Sequence, residues 1–224
     1  MKRREKIPLI VLLVAAVSVA AMLATAAAQN KGPIVPKKKI VLFNGKDFTG
    51  WKLFIPEKEG VDPKTVWSIK DGVIRCKGKP HGYIRTEADY ADYIIHVEWR
   101  WPEEPTNSGV LLHVQGKDAV WPRMIECQLQ SGNAGDFWLI KGVHIDGHRK
   151  HTQDYYNVKK LKPSSEKPAG EWNTYEIICK NGTIVPIVNG VIQNVATGAE
   201  LTFGSICLQS EGSPIEFRNI YLEP

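Results

Sequence analysis

Tyr175-Glu-Ile-Ile-Cys-Lys-Asn-Gly-Thr-Ile-Val-Pro-Ile-Val188 decides the fold class, because two β-rich runs, Tyr175 to Lys180 and Thr183 to Val188, meet at Asn181-Gly182. Asn-Gly accepts the positive φ required at both central positions of a type I′ turn, so the stretch predicts a β-hairpin. Asn189-Gly190 repeats the signal before Val191 to Val195, and Asp71-Gly72 joins Val66 to Lys70 with Val73 to Lys77. Pro186 has no N–H to give a ladder and marks an edge or a bulge. Outward from these hairpins, further strands are expected at Gly82 to Thr86, Tyr93 to Trp101, Gly109 to Gln115, Met124 to Ser131, Ser205 to Gln209 and Ile215 to Leu222. Beyond the N-terminal segment no stretch carries a sustained helical period, so the chain is expected to be all-β, a sandwich or barrel whose strand count suits two stacked sheets. Asn133 to Gly170 is more irregular and charged, and reads as a long excursion with a hairpin at Phe137 to Ile145. Loops of that length in a compact domain often carry function.

Residues 1–28 set Lys2, Arg3, Arg4 and Lys6 before an apolar run from Ile7 that ends in Ala26-Ala27-Ala28. That order is a secretory signal peptide. An uncleaved membrane anchor is the rival reading, since a run of roughly 20 apolar residues can span a bilayer. Residues 29–39 then read as a linker and 40–224 as one domain, extracytoplasmic, either periplasmic or secreted, and touching the membrane only if the leader stays uncut. The formal charge of +5 is partly the leader's own, and no sustained Lys/Arg run lies beyond Lys37-Lys38-Lys39, which argues against nucleic acid as a partner. Cys76, Cys127, Cys179 and Cys207 enter an oxidising compartment, where they are expected either as disulfides or as thiols buried on strands. No Cys-x-x-Cys spacing suggests zinc. His144, His148 and His151 cluster among basic neighbours and fit solvated loop histidines better than a metal site.

Strand alternation sorts the polar residues. In Ile94 to Trp101 one face carries His96, Glu98 and Arg100 and the other Ile95, Val97, Trp99 and Trp101; in Met124 to Gln130, Glu126, Gln128 and Gln130 share a face opposite Ile125, Cys127 and Leu129. Leu111-Leu112-His113-Val114 offers His113. One half-solvated strand always has a polar face, but three such strands together resemble a sugar groove, because sugar hydroxyls need many donors and acceptors on rigid backbone. Trp121 and Trp138 flank the Glu126 strand and are expected to stack on a sugar's apolar face. The expectation is that Glu98, Arg100 and Glu126 meet in one hollow, with His113 at its side.

Leu42-Phe-Asn-Gly-Lys-Asp-Phe-Thr-Gly-Trp51 resembles the opening signature of the 3-keto-disaccharide hydrolase family. Trp67 to Ile74, Glu98-Trp-Arg100, Asn107-Ser-Gly-Val110, Gly170-Glu-Trp-Asn173, Val188-Asn-Gly190, Leu208-Gln-Ser-Glu-Gly212 and Ile215 to Ile220 are similar to its later blocks, in order. The resemblance covers Ile40 to Pro224 and implies a concanavalin A-like jelly-roll sandwich of two antiparallel sheets, acting on glycosides oxidised at carbon 3. The family often shows a His near the position Glu211 holds here. Within these blocks Asn107, Gln209, Glu211 and Arg218 are expected to contact substrate together with Gln128, Gln130 and the two tryptophans.

A ketone at carbon 3 acidifies the carbon 2 proton, so the carbon 1 oxygen can leave through an enolate and water can add back. In this scheme Glu126 or His113 takes the proton, Arg100 stabilises the oxyanion and Glu98 protonates the leaving group. No cofactor is implied, although a divalent cation could stand in for Arg100. Two other functions fit the same residues: a lectin-like binding module, and a glucanase using two carboxylates. The sequence carries no statement of oligomeric state.

Overall fold

A computed structural model describes residues 32–149 and 152–224. The signal peptide expected over residues 1–28, and His151, lie outside the described residues. Pro33–Pro224 form one compact unit.

Among the described residues sixteen strands build two antiparallel sheets. Sheet I runs β14 (Val191–Ile192), β13 (Thr183–Val188), β12 (Asn173–Lys180), β7 (Tyr93–Arg100), β16 (Ile215–Glu223), β4 (Val73–Cys76), β3 (Trp67–Lys70), with β1 (Ile40–Val41) also on β16. Sheet II runs β11 (Tyr155–Val158), β10 (Phe137–Ile140), β9 (Arg123–Gln128), β8 (Gly109–Gln115), β15 (Phe203–Ser210), β5 (Gly82–Thr86), β2 (Trp51–Phe54), with β6 (Tyr90–Ala91) on β15. Sequence neighbours such as β7 and β8 fall in different sheets, so the chain crosses between layers. The core between them gathers Trp99, Tyr175 and Phe217 from sheet I and Ile84, Leu112 and Phe137 from sheet II. Burying large apolar side chains of this kind contributes about 1.5–3 kcal/mol each.

The hairpin signals match the turns that form. Asp71-Gly72, Asn181-Gly182 and Asn189-Gly190 each place both residues at positive φ, between 49° and 79°. Pro186 sits in β13 opposite Ile177, and its carbonyl accepts from Gln193 N at 2.9 Å on the side away from β12. Since N and C=O of one strand residue point the same way, its missing N–H leaves the β12 ladder intact. All four cysteines are free and buried, so of the two states open to them the structure has the thiols. Residues 33–36 lie along the domain, with Ile34 bridging Tyr90 in parallel.

The excursion after Asn133 corrects one expectation. Its hairpin is not closed within Phe137 to Ile145: β10 pairs with β11, Trp138 opposite Asn157, and together they extend sheet II to its edge. Tyr155-Tyr156, which carry no strong signal alone, thus begin a strand.

Candidate active site

On the outer face of sheet II a cavity of about 260 Å³ is lined by Asn107, Trp121, Glu126, Gln128 and Gln130, with Trp138, Ile140, Tyr155 and Glu211. Alternation along β9 turns Glu126 outward while Ile125 and Cys127 enter the core. Trp138 lies opposite Glu126 on β10. Gly109 on β8 makes room: a Cβ there would sit 2.2 Å from Glu126 Oε1. Gln128 Oε1 accepts from the Leu129 and Gln130 N–H groups at 2.9 and 3.0 Å, fixing the strand's end.

Glu211 follows β15 on a turn clamped from three sides. Gly212 N donates to Gly78 O at 2.8 Å, Ser213 N to Thr106 Oγ1 at 2.6 Å, and Ser210 Oγ to Pro80 O at 2.9 Å. Aromatic rings close the walls: Trp121 meets Tyr155 edge-on with centroids 5.8 Å apart, and His81 meets Trp121 at 6.0 Å.

The two carboxyls occupy unlike surroundings. Glu126 is 4% exposed and its Oε1 has no hydrogen-bond partner among the described residues. Burial holds its carboxyl well above the usual carboxylate range, and the nearby charge of Glu211 adds to the effect. Burial raises Glu211 too, but His81 and hydrogen bonds from Trp121 and Asn107 favour its anion and pull back. Asn107 Oδ1 is likewise buried without a partner. Unsatisfied buried polar atoms are costly, and sugar hydroxyls are the groups that would satisfy them.

Glu98, Arg100 and Arg218 do not join this cavity, which corrects the expectation of a single hollow. They lie on sheet I, on its outer face. Arg218 Nε donates to Glu98 Oε2 at 2.6 Å and Asn219 Nδ2 to Oε1 at 2.7 Å, while Arg100 Nε donates to Glu216 Oε2 at 2.7 Å. Both guanidinium groups stack on Trp172, at 4.7 and 4.0 Å from its ring centre. Burial would lift the Glu98 carboxyl, but Asn219 and Arg218 outweigh it and hold it below its ordinary value. The alternation within β7 is as read; the sheet to which it belongs is the difference.

His113 is displaced for another reason. A bulge between Leu112 and Gln115 puts His113 at φ 53°, so it leaves the face of Leu111. Its Nδ1 lies 2.9 Å from Leu201 O and its ring 5.7 Å from core Tyr93. Burial draws the imidazole down to about 4, against the pull of the Leu201 carbonyl. Gln209 pairs with Tyr83 across β15 and β5, buried with Oε1 unpartnered, and does not line the cavity. Tyr155 and Ile140 complete the wall, and the sequence does not single them out, since the alternation of Tyr155-Tyr-Asn-Val158 is too short to show a face. Among the described residues no three His, Cys, Asp or Glu side chains converge as metal ligands would. His148 packs instead on Tyr156, its Nδ1 3.3 Å from the hydroxyl.

Residues 38–223 match the family model described as a 3-keto-alpha-glucoside-1,2-lyase-like domain. The chain belongs to this family. A curated 3-keto-disaccharide hydrolase from Bacteroides thetaiotaomicron is 29% identical over 174 residues, which are 68% of this chain and 56% of that protein. The chain thus spans little more than half of that relative. A candidate glycosyl hydrolase from Parabacteroides distasonis, known by crystal structure, is 27% identical with a TM-score of 0.62, over 84% of this chain and 94% of that one. The β-glucanase of Bacillus licheniformis is similar in fold alone, with 15% identity and a TM-score of 0.56 over 87% and 99% of the two chains. Sheets packed as in that glucanase make this member of the lyase-like family a jelly-roll sandwich. Its motif blocks divide between the layers. Asn107 to Val110 and Leu208 to Gly212 bring Asn107, Gly109 and Glu211 to the cavity. Glu98 to Arg100 and Ile215 to Ile220 build the ionic face of sheet I.

Proposed function

We propose that this protein is an extracytoplasmic carbohydrate-active enzyme that cleaves 3-keto-glycosides by elimination across carbons 1 and 2 followed by hydration. The observation that carries the reading is that Glu126 and Glu211 line one cavity under conditions that hold Glu126 protonated and leave Glu211 the readier anion. Family membership and the hydrolase relatives support this reading of the substrate class, and the signal-like sequence of residues 1–28 supports the location. At about 260 Å³ the cavity lies below the usual range for drug-sized ligands and suits one sugar ring.

Glu211 takes the carbon 2 proton, made acidic by the carbon 3 ketone. As it becomes neutral, the Trp121 and Asn107 donors that held its anion are released toward the enolate oxygen. Collapse of the enolate forms the carbon 1–carbon 2 double bond and breaks the glycosidic bond, and Glu126 gives its proton to the departing oxygen. Water then adds at carbon 1, losing a proton to Glu126, while Glu211 returns one to carbon 2. The products are a free 3-keto sugar and the aglycone alcohol, and both carboxyls are reset.

The test is the same glucoside with and without oxidation at carbon 3. Turnover confined to the oxidised form supports the reading. Equal turnover of both would make the pair a conventional glycosidase dyad, and retention of unchanged ligand at every pH would make the protein a lectin.

A further inference from the structure

We propose that a basic hollow beside the cavity receives an anionic group, a sulfate or carboxylate, carried on the aglycone sugar. The inference rests on the keto-glycoside reading and narrows its substrate class. The hollow measures about 410 Å³ and includes Gln115, Lys117, Asp118, Arg123 and Lys141 in its lining. The segments that shape the cavity also shape it. Between β8 and β9 the chain gives Lys117 and Asp118 to the hollow and Trp121 to the cavity; at the end of β10, Ile140 lines the cavity and Lys141, the next residue, lines the hollow.

Charge selects the ligand. Asp118 is taken by Arg85 Nη1 at 2.9 Å and the Tyr83 hydroxyl at 2.8 Å, and Arg123 is paired with Glu200. Gln115 spends its amide on Phe203 O at 3.0 Å. Lys117 and Lys141 remain, exposed and without an ion pair among the described residues. Lys141 is held in the left-handed region at φ 58°, with its N–H bonded to Asp154 O at 2.6 Å, so its Cα is fixed at the rim. The cavity itself is lined by no Lys or Arg. A neutral ring is thus enclosed on one side and two unneutralised cations wait on the other. One enclosed ring leaves the aglycone outside the cavity, and its charged group is what these lysines are proposed to meet.

The experiment compares 3-keto-glucosides whose aglycone is glucose, a sulfated glucose or glucuronate. Wild-type protein is expected to favour a charged aglycone by about tenfold in kcat/KM at low ionic strength, mostly through KM, with the advantage shrinking as salt screens it. Whichever anion gains more identifies the group. Lys117→Gln/Lys141→Gln is expected to remove the preference and leave the neutral substrate within about twofold, as exposed side chains allow. No preference in the wild type, or a preference that survives the double substitution, overturns the subsite. Failure to turn over even the neutral compound would instead remove the keto-glycoside reading. The three compounds, measured as ligands by calorimetry, then decide the subsite on the same ratios.

Discussion

Glu126 is a carboxyl with one oxygen that no group among the described residues satisfies, and Glu126→Gln separates its two consequences. Turnover of a 3-keto-glucoside is expected to fall at least about 100-fold, since general acid catalysis contributes on that order. Stability is expected to change in the other sense. The folded pKa lies above the ordinary 4.5, so above that pH the folded chain retains a proton that the unfolded chain has released. Stability therefore falls as pH rises from 4.5 toward the folded value, by up to about 1.4 kcal/mol per pH unit, and the substitution removes that fall. Urea denaturation of both proteins across pH, read as their difference, isolates the effect from His113, whose lowered pKa gives the opposite slope between about 4 and 6.5. Activity in the wild type is expected to be bell-shaped, rising as Glu211 loses its proton and falling as Glu126 does, with both limbs above the normal carboxylate range. Glu211→Gln is expected to abolish turnover with the neutral glucoside while ligand binding persists.

Strands were the most legible elements, because alternation and Asn-Gly turns are local signals. The polar face of β9 follows from Glu126-Cys-Gln-Leu-Gln130 alone, and the cavity uses that face. What alternation cannot show is a bulge: one extra residue at His113 reverses the side chain's direction, and the pairing on both sides of β8 shifts register with it. A Cβ on Gly204 would meet the His113 carbonyl carbon at 2.5 Å, so the bulged backbone packs where only a glycine fits, and no pattern around His113 announces it. Gly204→Ala is expected to destabilise by about 1–3 kcal/mol, measured by thermal unfolding. Gly109→Ala tests the matching contact under Glu126. It is expected to lower kcat by about 10-fold or more through displacement of the carboxyl, with a smaller loss of stability than Gly204→Ala.

At the scale of the whole molecule, layer membership is what separates Glu98 and Arg100 from Glu126. Both β7 and β9 show the same period, and only non-local pairing assigns β7 to sheet I and β9 to sheet II. The polar face of β7 is a charge ladder, Arg75–Glu216–Arg100 and Glu98–Arg218, capped by Trp172. Glu216 is 6% exposed, and removing one member of such a pair strands the other. Glu216→Gln is expected to destabilise by about 1–3 kcal/mol, and Glu98→Gln to leave kcat within about twofold, by denaturation and steady-state assay respectively. Loss of turnover in Glu98→Gln without unfolding would bring sheet I back into the chemistry. The most direct measurement is a single turnover of a 3-keto-glucoside deuterated at carbon 2, timed against the unlabelled compound. Removal of the carbon 2 proton by Glu211 predicts a primary isotope effect, the deuterated glucoside being cleaved more slowly. Equal rates for the two compounds would contradict elimination and leave direct displacement at carbon 1.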